Sequence, residues 1–250
     1  TWGYGAPGQG PNDGGQLYNT GPDFVTEVQP GDQYHRGRIV TYEATDKYVF
    51  VVGDATRSYS PSKVKEFTRA FLFVPPDCFI IGDLVRVAQN ADRVRWLLHS
   101  VTEPKVEGDR VEIIGDGGRL VMQTVVPFAP SRDITVVGGP GHEFEVNGVN
   151  YAPGKEYDPA EAGQWRLELA PKAPDTQCRF LNVLATSDGG STVWPEVVHQ
   201  PDPTGATLVV RLSGREVAVR LAGESPLFSH LTIRDAKTNE VLCDADLGEG

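Results

Sequence analysis

The sequence predicts an all-β protein: a layered antiparallel β-sandwich, supersandwich-like, with a small C-terminal β-hairpin region. Three observations predict it. Short apolar runs rich in Val, Ile, Phe and Tyr recur along the chain, broken by Pro, Gly, Asn and Asp, as in antiparallel strands joined by tight loops. The 28 glycines and 19 prolines are spread as punctuation, which fits many short strands and opposes a low-complexity chain. No long segment carries a 3.6-residue apolar period, so helix is expected in under about a tenth of the chain.

In order, residues 1–22 are Gly-rich with few β-branched residues. Trp2 and Tyr4 would be out of place in a free tail, so this segment is expected to act as a strap against this chain's own sandwich or a neighbouring copy. Residues 34–45 and 48–53 read as a strand pair turned at Thr45-Asp46-Lys47, and residues 58–62 as a helical turn or tight loop. The densest β signal runs from Tyr48 to Ser100. Within it Val64–Val74 alternates, with Lys65, Phe67, Arg69 and Phe71 on one parity. A Pro75-Pro76-Asp77 turn leads into Cys78–Val87, and an Asn90-Ala91-Asp92 turn into residues 93–100. These three strands are expected side by side in one sheet, the arrangement sequential strands favour.

Arg110–Ile114 and residues 119–126 read as a hairpin around Gly115-Asp116-Gly117-Gly118. Short strands follow at 134–137, 142–146 and 149–151, then stronger ones at 165–170 and 178–185, with a loop at 187–192. Pro201 and Pro203 make residues 198–205 the expected boundary between a sandwich over 1–200 and a small β region over 201–250. That region offers strands at 207–212, 216–221, 227–234 and 241–247, with turns at Ser213-Gly214 and Lys237-Thr238-Asn239. Hairpins of this size do not form a core alone, so they are expected to pack on the sandwich. No internal repeat of fixed period is visible.

A net charge of −11 with no basic stripe opposes nucleic-acid binding. It also opposes a heavily sulfated polyanion as ligand, unless a local Arg/Lys cluster overrides the global field. No run approaches the roughly 20 apolar residues of a membrane-spanning helix. Cys78, Cys178 and Cys243 each lie in or beside a strand-like run, where a free thiol behaves as a small buried hydrophobe; one disulfide is the alternative. CxxC is absent, so a thiolate zinc site is not expected, nor is any cofactor. The chain begins at Thr1 without a signal peptide, which reads as a processed or excised end.

Chemistry is sparse. The five histidines, His35, His99, His142, His199 and His230, show no HxH or HExxH spacing. Tyr34, His35 and Arg36 combine types suited to proton abstraction and carboxylate binding, yet strand alternation sets Tyr34 and Arg36 opposite His35. These three and His142, in the glycine-flanked GGPGHEFEV, are the candidate carbohydrate-binding residues, with solvated surface positions as the ordinary reading. His99 closes an apolar run and reads as a hydrogen-bonded structural histidine. Asp54 and Asp83 each follow a glycine at the end of an apolar run, as ordinary strand termini do. GGPG is not followed by a helix and cannot act as a phosphate loop, and GxSxG is absent. No catalytic residue and no metal ligand is assigned.

Several words, taken together and in this order, resemble the C-terminal β region of the heparinase II/III-like polysaccharide lyases. They are NDGGQ at 12–16, YVFVVGDATRSYS at 48–60, VKEFTRAFLFVPPDCFIIGDLVRV, WLLHS followed by EP, VVGGPGHEFEVNGVNY at 136–151, and FLNVL at 180–184. The resemblance covers most of residues 12–185. It implies an N-terminal α/α-toroid, then a large layered sandwich, then a smaller β piece, in an enzyme that cleaves uronic-acid-containing polysaccharide by β-elimination. Such a lyase would be secreted or periplasmic. The family's catalytic tyrosine, most of its histidines and its sandwich zinc site would precede Thr1, so none is carried onto this chain. The expectation is a non-catalytic sandwich portion of such a lyase, partnered by the missing toroid. The alternative is a stand-alone glycan-binding or self-assembling β module. Either leaves strand edges and an apolar face that favour association.

Overall fold

The computed structural model describes residues 37–59, 61–89, 94–151, 163–224 and 227–248. Their regular structure is almost all strand; the helical elements among them are two single 3-10 turns, Thr56–Ser58 and Ala129–Ser131. The 3-10 turn at Thr56–Ser58 overlaps the start of the helical turn or tight loop expected at 58–62, and residues 61–63 also form a turn.

The largest sheet has eight antiparallel strands. It begins with β1 (Arg38–Ala44), β2 (Val49–Asp54), β3 (Val64–Val74) and β4 (Cys78–Val87), neighbours in that order. Beyond them the chain forms β5 (Trp96–Ser100), β6 (Lys105–Glu107), β7 (Arg110–Ile114), β8 (Gly118–Val126) and β9 (Arg132–Gly138). Then come β10 (Glu145–Val146), β11 (Val149–Asn150), β12 (Trp165–Pro171) and β13 (Gln177–Asp188). The eight-stranded sheet runs β1-β2-β3-β4-β13-β8-β7-β6.

One expectation is corrected. β5 does not join β3 and β4; the outer neighbour of β4 is β13, with Cys178 opposite Val85 and Ala185 opposite Cys78. β13 and β4 carry buried residues on both parities, which suits strands covered on both faces. β5 instead pairs with β12, whose other side carries β9, in a separate three-stranded sheet.

The rest of the chain forms β14 (Glu196–Asp202), β15 (Gly205–Leu212), β16 (Arg215–Leu221), β17 (Phe228–Asp235) and β18 (Val241–Asp246), an up-and-down five-stranded sheet. Residues 198–205 are therefore strand and hairpin turn. Pro201 sits in β14 because that strand is the sheet edge, where a missing N–H is tolerated.

Three layers result. The five-stranded sheet packs on one face of the eight-stranded sheet through Phe50, Leu72, Ile80 and Val183 against Leu208, Val219, Phe228 and Leu231, all essentially inaccessible. Phe50 and Phe228 meet across this interface at 6.1 Å between ring centroids. Gly82 lies under Phe228, whose ring atoms would stand 3.0 Å from an added Cβ. The three-stranded sheet covers part of the opposite face through Trp96, Leu167 and Leu169 against Val85, Met122, Phe180 and Leu184. Arg215, in the β15–β16 hairpin, pairs with Asp77 in the β3–β4 turn, tying the outer layer to the central one. Cys78, Cys178 and Cys243 are all free thiols. Burial pushes the Cys78 thiol up to about 12, so it stays protonated and inert.

Candidate functional site

Of the sequence candidates, Tyr34, His35 and Arg36 lie outside the described residues, as do Trp2, Tyr4 and the NDGGQ word. His142 lies in the turn between β9 and β10. Gly138 and Gly139 set that turn: both have positive φ, and a Cβ would stand 2.3 Å from the Gln164 carbonyl oxygen or 2.9 Å from the Trp165 ring. The His142 side chain is 62% exposed, and its Nδ1 lies 2.6 Å from Glu145 Oε2. Glu145 leads into a polar cluster on the outer face of the three-stranded sheet. Arg166 donates to the Glu145 carbonyl at 2.6 Å and to Glu168 Oε1 at 2.8 Å, and Arg95 approaches Glu168 at 3.3 Å. His99 stands opposite Arg166 in the register. Partial desolvation, then the charge of Arg166, holds its imidazole below the ordinary value and therefore neutral.

The other candidates have structural partners. Asp83 is not a strand terminus but lies within β4, held by Arg69 through two hydrogen bonds of 2.7 and 2.9 Å. Asp54 accepts from the Thr56 backbone at 3.0 Å and from Arg38 at 3.3 Å. His199 meets Phe128 edge-on, and His230 lies between Asp246 and Asp244 at 2.7 and 2.8 Å.

A second constellation escaped the sequence. In antiparallel pairs, opposite residues share a face, so Lys105 with Glu112, Glu107 with Arg110, and Arg110 with Gln123 line the face that turns toward the five-stranded sheet. This end of the sheet is crossed by the connection from β13 to β14, residues 189–195. Trp194 on that connection lies against two guanidinium groups, Arg110 at 5.2 Å and Arg119 at 5.0 Å from the ring centre. Arg119 is only 2% exposed; it donates to Glu112 at 2.6 Å and to the Val193 carbonyl at 2.8 Å. It thereby fixes the connection to β8. Between Trp194 and the β6–β7 strands lies a groove of about 260 Å³, also lined by Ser191 and Thr192. Lys105, Glu107 and Arg110 are exposed on its wall and have no ion pair among the described residues.

Among the described residues no group of three or more His, Cys, Asp or Glu side chains is placed to hold a metal ion, and no helix is long and apolar enough to cross a membrane.

No family model and no curated protein matches the sequence. Solved structures do match. The chain is similar to heparan sulfate lyase HepC from Pedobacter heparinus, with a TM-score of 0.51 and 17% identity, over 74% of this chain and 28% of that one. A heparinase III structure matches with a TM-score of 0.45 and 13% identity, over 73% of this chain and 26% of that one. The likeness to HepC is one of fold: the heparinase-type β-sandwich region implied by the sequence words is the architecture of this chain. The chain spans under a third of the length of either neighbour, 28% and 26%.

Proposed function

We propose that this chain is the β-sandwich portion of a heparinase-type polysaccharide lyase acting on a uronic-acid-containing polysaccharide by β-elimination. The base that takes the C5 proton and the group that neutralises the uronate carboxylate are supplied by polypeptide outside this chain. The observation that carries this reading is the match of the layered sandwich to HepC over most of this chain and little of that one. Because polysaccharides of this kind lie outside the cell, the protein works in a secreted or periplasmic setting, and the polypeptide that carries the base is its first partner.

The test follows the ultraviolet absorbance of the unsaturated uronate product. A longer polypeptide that includes the sequence upstream of Thr1 is expected to produce it, and the 250-residue chain alone is not. Turnover by the chain alone would refute the non-catalytic assignment, and a silent longer polypeptide would refute the lyase.

A second reading, a stand-alone glycan-binding or self-assembling module, draws on two features. The Trp194 groove is lined by residues of this chain, and β1, the edge of its sheet among the described residues, exposes Ile39, Val40 and Tyr42. Association measured by sedimentation, without turnover from any longer form, favours that reading.

A further inference from the structure

We propose that the groove between the β6–β8 edge and Trp194 is a binding subsite for one acidic sugar residue of the uronate type, whose carboxylate is taken by Lys105 and Arg110. It deepens the glycan reading above but does not depend on turnover.

Size comes first. A volume of about 260 Å³ is below the range of pockets that enclose drug-sized ligands, so the groove has room for a small group such as one sugar residue and not for a longer chain. Charge comes next. Of the three cations at the groove, Arg119 is neutralised by Glu112 and spent on holding the Val193 carbonyl. Lys105 and Arg110 have no carboxylate partner among the described residues, so their charge is available to a ligand. In a chain of net charge −11 this is a local reversal of sign, which would draw an anion to this end of the sheet.

The remaining lining separates an acidic sugar from a simple anion. A phosphate or sulfate needs donors on all sides, whereas here Glu107 stands next to the free cations and would repel a dianion. A uronate carries one carboxylate and several hydroxyls. Its carboxylate suits Lys105 and Arg110, and its hydroxyls can donate to Glu107 and share hydrogen bonds with Ser191 and Thr192. Trp194 supplies the apolar border that sugar C–H groups require, and its position is fixed in advance. Arg119 locks the neighbouring backbone, so little ordering accompanies binding.

The experiment is calorimetric titration of the full 250-residue chain with a glucuronate-containing tetrasaccharide and with its carboxyl-reduced counterpart. Saturable binding of the acidic form is expected, weakened roughly tenfold or more by carboxyl reduction and by Lys105→Gln or Arg110→Gln. Both substitutions fall on exposed side chains, and a melting temperature within about a degree of wild type excludes unfolding as the cause. Equal affinity for the two sugars, wild-type affinity in both variants, or no saturable binding would each overturn the subsite. Inorganic phosphate competing as strongly as the sugar would overturn the acidic-sugar assignment. Such a failure would leave the lyase reading untouched, since product formation by the longer polypeptide is read separately.

Discussion

Arg69 and Asp83 face each other across β3 and β4 in a two-bond ion pair that buries its two ends unequally: the carboxylate is 1% exposed, the guanidinium 45%. Desolvation therefore falls mainly on the acid, and Arg69 is what makes its charge tolerable there. Arg69→Met leaves that carboxylate uncompensated. Stability is expected to fall by about 2–3 kcal/mol, the low side for a buried pair because Arg69 already touches solvent. Urea unfolding measures this, and Arg69→Met combined with Asp83→Leu should recover much of the loss. A single variant as stable as wild type would mean that the pair contributes nothing.

Gly82 supports the contact between the central and five-stranded sheets. Gly82→Ala places a methyl group 3.0 Å from two ring atoms of Phe228, which is 1% exposed and has nowhere to move. Overpacking of this kind costs about 1–3 kcal/mol. Phe228→Leu should relieve part of it, so thermal unfolding of the double variant against the two single ones reads the coupling. Strict additivity would place the two residues out of contact.

His230 gives the last strand a dependence on pH. Hydrogen bonds to Asp246 first and to Asp244 second raise its pKa above the ordinary 6.5, while Arg220, opposite it on β16, is occupied by Asp202. A raised basic pKa means that the stabilisation is complete below the unfolded-state value near 6.5 and is lost as pH rises through the higher folded value. The melting temperature of wild type should thus decline relative to His230→Gln as pH rises above neutrality. Parallel curves for the two proteins would exclude the effect.

Thiol reactivity should separate the three cysteines. Burial raises all three thiols, so access is what separates them: Cys78 and Cys178 are buried, whereas Cys243 is half-buried on β18, the edge strand among the described residues. Titration with a chromogenic disulfide is expected to modify Cys243 alone in the native protein and all three in denaturant. Rapid native labelling of Cys78 would contradict the packing of the five-stranded sheet on β4.

The bounds of β3 and β4 were legible because alternation and a Pro-Pro-Asp turn act locally. The same holds for the β7–β8 hairpin and for β15 to β18, whereas β14 falls on the Pro-containing residues read as a boundary and was not legible. The place of β5 was not legible, because pairing partners are chosen by which faces must be covered. β13 carried the clue: FLNVLA is apolar on both parities, the mark of a strand in the middle of a sheet, and it displaced β5 from the side of β4. The groove was illegible for another reason. Lys105, Arg119 and Trp194 come from separate stretches and meet only through sheet register and one buried arginine. The isolated Trp in the polar STVWPE stretch was the one local hint.

The insertion of β13 between β4 and β8 also sets an order of events during synthesis. β1 to β4 can pair as soon as they leave the ribosome, but β4 then presents a bare edge, apolar on both faces, until β13 has been made. Everything from β5 to β12 must be translated in that interval. The nascent chain therefore carries its stickiest edge for a long stretch of elongation, and that edge is where a chaperone, or a second unfinished copy, would find it first.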